Sequence, residues 1–237
     1  MPQRGLLITG TDTGVGKTFV ACGLAGALRR RGLRVAPFKP AETGCEREAA
    51  TGGLIPADAM ALGAATGTGA SLDTICPYRF RAPVAPWVAA EQEGERIEPA
   101  RLEECYRELA STHDFVLVET AGGILVPLTK EFTYADLARA LGLPVLVVIG
   151  NKLGAINHTL LTAEYLRSSR LRVVSYVLNH PYGEAGPAVA TNETTLRSLL
   201  REPLQVIPDV AENEPPWEHR EFDDLLAPVV EWCAGAD

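Results

Sequence analysis

Residues 5–32, "GLLITGTDTGVGKTFVACGLAGALRRRG", join an apolar run to a helix-like run through a glycine-rich loop, and they restrict the possible folds more than any other stretch of this chain. An apolar run without alternation reads as a strand buried on both faces, which belongs in a parallel sheet covered by helices. Gly10, Gly14 and Gly16 let the loop turn tightly and aim successive backbone N–H groups at one anion. The helix that follows presents its positive N-terminal end to the same point. Lys17 can reach the β and γ phosphates of a nucleotide, and the Thr18 hydroxyl can ligate Mg. Thr13, Gly14, Val15, Gly16, Lys17, Thr18 and Phe19 are therefore the expected phosphate-holding set. The spacing is G-x-x-x-x-x-G-K-T, one residue longer than the common loop, with Thr11 where the first glycine would stand.

Further apolar runs, "RVAPFK", "FVLVE", "PVLVVIG", "RVVSYVLN" and "LQVIP", alternate with stretches of helical pattern at 17–31, 57–65, 84–92, 99–112, 134–141, 157–169, 187–200 and 222–233. That alternation predicts an α/β fold, a doubly wound and mainly parallel sheet flanked by helices, with ligands outside the carboxyl ends of the strands. A hydrophobic content of 46% over 237 residues supports one core, so a single domain over 1–237 is expected. Irregular stretches at 40–56 and 120–133 each follow a strand and should lie at the ligand edge. The polar stretch 208–221 reads equally as a flap or as a surface connection.

A net charge of −8 argues against nucleic acid or an acidic membrane surface as partner. The five cysteines include no C-x-x-C pair and the histidines are scattered, which disfavours zinc and suits reduced thiols. The first apolar run is too short for a secretion signal and no later run approaches membrane-spanning length, so a soluble, cytoplasmic protein is expected.

Three charged residues stand out, two of them where apolar strands end. Glu119 closes "FVLVE", an expensive place for an acid unless its charge has a partner. Lys39 closes "RVAPFK" and should project into the same crevice, the alternative being a lysine that snorkels to the surface. Asp58 begins the helical stretch "DAMALGAA", either as a simple cap or, with Thr18 and Glu119, as a ligand of Mg.

Taken in order, "GTDTGVGKT", "FKPAETG", "CPYRFRAPVAPWVAA", "VETAGG", "NKLGAINHTLLT", "VLNH" and "IPDVAEN" resemble the dethiobiotin synthetase family over nearly the whole chain. The displaced glycine is normal in that family. The resemblance implies ATP and Mg as requirements, with 7,8-diaminopelargonic acid and CO2 as substrates. The implied reaction passes through a carbamate and a carbamic-phosphoric anhydride to a cyclic urea. It implies a homodimer with the substrate site at the interface, Lys39 and Lys17 as catalytic residues, and Lys39, Thr43 and Asn157 as substrate contacts. Thr18, Asp58 and Glu119 match metal positions. Glu119, Gly122, Asn179, His180, Pro208, Asp209 and Val210 match nucleotide contacts, Asn179 reading adenine through its amide.

The chain departs from the family pattern in places. Thr120 replaces the glycine of "VEGAGG", Gly14 stands where some relatives carry a glutamate, and the ribose-contacting acid is Glu212, Glu214 or neither. Two other readings lose on single residues. A guanine-reading N-K-x-D motif fails because Gly154 takes the aspartate position, and a partitioning ATPase would carry a lysine where this loop has Thr11 and Asp12.

Overall fold

The computed structural model describes residues 5–48, 52–181, 185–207, 214–227 and 229. Its first half runs β1 (Gly5–Gly10), α1 (Lys17–Arg30), β2 (Val35–Phe38), β3 (Ala41–Thr43), β4 (Glu46–Arg47), β5 (Leu54–Ile55), α2 (Ala57–Thr66), α3 (Leu72–Ile75), β6 (Tyr78–Phe80), α4 (Pro86–Glu93) and α5 (Pro99–Thr112). There follow β7 (Phe115–Gly123), β8 (Pro127–Thr129), β9 (Phe132–Thr133), α6 (Tyr134–Ala140), β10 (Val145–Gly150), α7 (Ala155–Ser168), β11 (Val173–Asn179), α8 (Pro187–Leu199), β12 (Leu204–Val206), a 3-10 turn (Pro216–Glu218) and α9 (Glu221–Leu225).

Six strands form one parallel sheet in the order β12-β11-β10-β1-β7-β2. The register sets Leu7 opposite Val118 on one side and Val145 on the other. From β1 the chain steps out to β2, returns through β7, then passes over β1 to β10 and continues outward. The carboxyl end of β1 is thus the point where the connections diverge, the place at which open α/β sheets bind ligands.

Leu6, Leu7, Ile8 and Val145–Ile149 are wholly buried, as a strand covered on both faces requires. Alternate side chains enter different cores. Leu7, Val118 and Val147 meet Tyr106 and Leu102 on one face, while Leu6, Ile8, Leu146 and Val148 meet Leu24 and Leu28 on the other. In α5 the buried Leu102, Cys105, Tyr106 and Leu109 recur at helical spacing, and Pro99 sits at its first turn, where a missing N–H costs nothing.

Several expected boundaries shift. α4 begins at Pro86 rather than at residue 84, because the prolines at 83 and 86 leave only the second as a helix opener. The irregular stretches hold short strand pairs, β4 with β5 and β8 with β9, while β3 pairs with β6. α7 begins at Ala155 behind a left-handed Gly154, so Asn157 lies inside its first turn rather than opening it. Of the helix expected at 222–233, α9 covers residues 222–225, and residues 228 and 230–233 lie outside the described residues.

Of the polar stretch 208–221, residues 214–221 are described, and they pack as a connection onto α1. Arg30 donates to the Trp217 and His219 carbonyls and pairs with Asp223. Gly26 admits the Trp217 backbone so closely that a Cβ there would lie 2.2 Å from its carbonyl oxygen. No described helix is long and apolar enough to cross a membrane.

Candidate active site

The glycine loop leaves β1 at Gly10 and enters α1 at Lys17, with Gly16 in the left-handed region at φ 87°. A cavity of about 300 Å³ opens above it, lined by Thr13, Gly14, Gly16, Lys17, Thr18, Lys39, Glu42, Thr43, Asp58, Glu119, Thr120, Ala121 and Gly122. Larger hollows exist elsewhere, such as one of about 830 Å³ beside Cys45 and Arg81. Size does not single out the site. Among the described residues, only here do several buried charges converge.

Lys39 is the hub. Its side chain is 2% exposed, and its Nζ donates to Asp58 Oδ2 at 2.7 Å and to Glu119 Oε1 at 2.6 Å. The snorkelling alternative therefore fails. Burial alone would depress the Lys39 pKa, but the two carboxylates outweigh it and hold the ammonium above its ordinary value. The Thr18 hydroxyl donates to the same Glu119 Oε1 at 2.9 Å. Glu119 Oε2 is buried without a hydrogen-bond partner, an arrangement that calls for a further donor or cation.

Burial would raise the Asp58 pKa, yet Lys39 and the Thr18 hydroxyl bring it below its ordinary value. Burial depresses Lys17, with Glu119 partly opposing, and its Nζ lies 3.4 Å from the Asp12 carbonyl oxygen. Asp58 does not cap its own helix. Both oxygens of Glu42, a residue that sequence reasoning missed, accept from Asp58 N and Ala59 N at 2.9 Å each. No local pattern points to it, because Glu42 reaches across sixteen residues of chain.

The departures have structural counterparts. The Thr120 side chain turns inward, donating to the Gly122 carbonyl at 2.8 Å and lying 3.2 Å from Thr9 Oγ1. Gly14, at φ 73°, faces open space.

Other expected residues are not part of the cavity wall. Asn179 closes β11, and its Nδ2 donates to the Val15 carbonyl at 2.9 Å, leaving one amide hydrogen and Oδ1 for a ligand. The left-handed backbone of Gly16 favours glycine, and a Cβ there would stand 2.1 Å from Asn179 Nδ2, so that amide would have to move. His180 Nδ1 lies 3.3 Å from Asn151 Nδ2, and Asn192 Nδ2 donates to Asn151 Oδ1 at 2.7 Å. Phe19 packs edge-on against Phe222, with ring centroids 5.5 Å apart. Asn157 is exposed on α7 and does not line the cavity. Pro208, Asp209, Val210 and Glu212 lie outside the described residues, and Glu214 is exposed, its carbonyl 3.2 Å from His219 Nε2.

Comparison with known proteins agrees with this architecture. Solved structures of similar fold include the septum site-determining protein MinD complexed with Mg-ADP from Pyrococcus horikoshii OT3 (TM-score 0.57, 17% identity, covering 98% of this chain and 96% of that one). The MinC:MinD cell division protein complex of Aquifex aeolicus is another (TM-score 0.59, 16% identity, 98% and 96%). Such identities speak for the fold alone.

Sequence relatives go further. The ATP-dependent dethiobiotin synthetase BioD of Anaeromyxobacter dehalogenans (strain 2CP-C) is 49% identical over 207 residues, 87% of this chain and 90% of that one. The protein of the same name from Aquifex aeolicus (strain VF5) is 46% identical over 179 residues, 76% and 77% of the two chains. A family model described as AAA domain matches residues 4–214. With identity at that level over 76% and 87% of its length, and a family model matched over residues 4–214, this chain belongs to the dethiobiotin synthetase family of P-loop NTPases.

Proposed function

We propose that the chain, as one domain, carries out the ATP- and Mg-dependent carboxylation and ring closure of 7,8-diaminopelargonic acid with CO2, giving dethiobiotin, ADP and phosphate. The observation that carries this reading is the buried Lys39 held between Asp58 and Glu119 at the mouth of the phosphate loop. The reaction brings an anionic carbamate against an anionic triphosphate, so the site must supply positive charge where negative charge accumulates. Lys17 and Lys39 are cations on one cavity wall, both shielded from bulk water.

In this reading one amine of the diamine takes up CO2 as a carbamate, and the carbamate oxygen attacks the γ phosphorus, breaking its bond to the β,γ-bridging oxygen and releasing ADP, to form a carbamic-phosphoric anhydride. The second amine then attacks the carbonyl carbon, the urea ring closes and phosphate leaves. Lys17 and the backbone N–H groups of Thr13 to Thr18 hold the β and γ phosphates in line for attack. Lys39 and Thr43 orient the carbamate, with Lys39 stabilising charge as it moves to the phosphate oxygens.

Mg would be held by Thr18, Asp58 and Glu119. The partnerless Glu119 Oε2 and the hard oxygens of Asp58 and Thr18 suit it, since Mg takes one or two carboxylates and relies on phosphate and water for its remaining ligands; Glu42, the third carboxylate on the wall, is taken up by Asp58 N and Ala59 N. When bound it would neutralise phosphate charge. Asn179 and His180, with Pro208, Asp209 and Val210, are proposed for the base side.

The test is incubation with diaminopelargonic acid, labelled bicarbonate and Mg-ATP. Acid-stable label should appear in a cyclic urea with one phosphate released per ring; diamine-dependent phosphate release without label would refute the reading.

We propose further that the enzyme is a cytoplasmic homodimer in which Asn157 serves the site of the neighbouring subunit. Its exposure away from its own cavity supports this, and the free thiols at Cys22, Cys45, Cys76 and Cys105 fit a reducing compartment. Mixing inactive Lys39→Ala and Asn157→Ala subunits should then restore about a quarter of the sites after exchange. Demonstrated exchange without recovery would refute the sharing.

A further inference from the structure

We propose that Glu42 is a positioning residue for this active site: by tethering the first turn of α2 to β3 it frees the Asp58 carboxylate to face Lys39 and the metal position. The inference rests on the reading of Asp58 given above and adds a residue that this reading does not include.

Helix α2 begins without help from its own sequence. Its N-cap is Pro56, which forms no side-chain cap, and its one early acid, Asp58, is the residue that could fold back onto the exposed N–H groups of the first turn. It does not, because those groups are already taken. The Glu42 carboxylate, on a residue 6% exposed, spans the turn and accepts from Asp58 N with Oε1 and from Ala59 N with Oε2, both at 2.9 Å. Its strand is anchored independently, β3 pairing with β6 through Glu42 opposite Arg79. The helix start is thereby held to a strand whose next residue is Thr43, and Asp58 can spend its side chain on Lys39 at 2.7 Å. A cap supplied by a neighbouring residue in sequence would stabilise the helix equally well. It would not fix the position of that helix relative to β3.

Glu42 thus acts through Asp58, and that dependence is measurable as non-additivity. The experiment titrates Mn2+, standing in for Mg, against the full-length protein with a non-hydrolysable ATP analogue, and reads free Mn2+ by electron paramagnetic resonance. Four proteins are compared: wild type, Glu42→Ala, Asp58→Asn and the double variant. Each is assayed at a temperature where circular dichroism shows native helix, and Glu42→Gln, which keeps the length and one acceptor, replaces Glu42→Ala if the latter fails to fold.

Each single variant should weaken Mn2+ binding about 10-fold, the range found when a residue that orients a ligand is removed. The double variant should bind no more weakly than Asp58→Asn alone. Wild-type Mn2+ affinity in Glu42→Ala, an unchanged affinity in Asp58→Asn, or a double variant whose loss is the product of the single losses would each overturn the proposal. Because the readout is binding, it stands apart from the labelling assay: a wild type that makes no cyclic urea removes the proposed reaction, whereas an active wild type without coupling removes only the role of Glu42.

Discussion

The two ends of the phosphate loop are built from opposite materials. At the Lys17 end the loop meets Lys39, Asp58 and Glu119, charges that are mostly buried and joined at 2.6 and 2.7 Å. At the Val15 end it meets amides: Asn179 donates to the Val15 carbonyl, and behind it Asn192 donates to Asn151, whose Nδ2 lies 3.3 Å from the His180 ring. Under the function proposed above, the difference follows from what each end must do. Moving a phosphoryl group needs strong fields that cannot be screened, so charges are placed in a dry site. Holding a neutral base needs donors and acceptors in fixed directions, for which satisfied amides suffice and no charge has to be desolvated.

The largest effect expected is at the charged end. Lys39→Ala leaves Glu119 and Asp58 facing each other without a cation, so stability should fall by about 3–5 kcal/mol. Turnover should fall about 100- to 1,000-fold while nucleotide still binds. Thermal unfolding, nucleotide titration and single-turnover assays measure these separately, and added Mg should recover part of the stability. Normal turnover at saturating diamine would break the contrast between the two ends.

Gly16→Ala tests the joint between them. The residue takes a left-handed backbone, and its Cβ would meet Asn179 Nδ2 at 2.1 Å. Strain of about 1–3 kcal/mol is expected, with weaker nucleotide binding. Adding Asn179→Ala should relieve the contact while leaving the backbone strain. A single variant that binds nucleotide as wild type does would show that the loop and β11 are not locked together.

At the neutral end, Asn192→Ala removes the donor to the buried Asn151 Oδ1. A cost of about 1–3 kcal/mol follows from the unsatisfied acceptor, and the kinetic signature should be a raised KM for ATP with kcat nearly kept. A fall in kcat at unchanged KM would assign this network to the chemistry instead.

The smallest effect lies at a surface pair far from both ends. Arg34 makes a two-pronged contact with Asp114, at 2.7 and 3.1 Å, and holds the Asp114 pKa down at about 2 against an ordinary 3.8. A depressed acid stabilises the fold above its unfolded pKa, and that contribution disappears as pH falls through the folded value. The difference in Tm between wild type and Asp114→Asn should therefore be a few degrees at most near neutrality. It should shrink as pH drops from 3.8 toward 2. A difference that stays constant to pH 2 would show that the pair acts through geometry and not charge.

Much of this could be read from local pattern. The loop, its strand and its helix are continuous in sequence, and the expense of a charge beside an apolar run singled out Lys39, one residue past β2, and Glu119, although β7 runs on past Glu119 to Gly123 instead of ending there. Boundaries erred where prolines and left-handed glycines intervene, as at Pro86 and Gly154. Asp58 was ambiguous between cap and ligand because both uses put an acid in the first turn of a helix.

The sequence by itself determined the parallel sheet, the phosphate loop and the family, since each rests on periodicity or on motifs with few alternatives. Only the tertiary structure decided that Glu42 caps α2, that Asp58 is thereby free for Lys39, and that Gly16 must leave room for Asn179. Those contacts join residues between 16 and more than 160 positions apart. Local pattern records the period of an element and the residues at its ends, whereas the partner of a buried polar group depends on which elements the sheet order brings together.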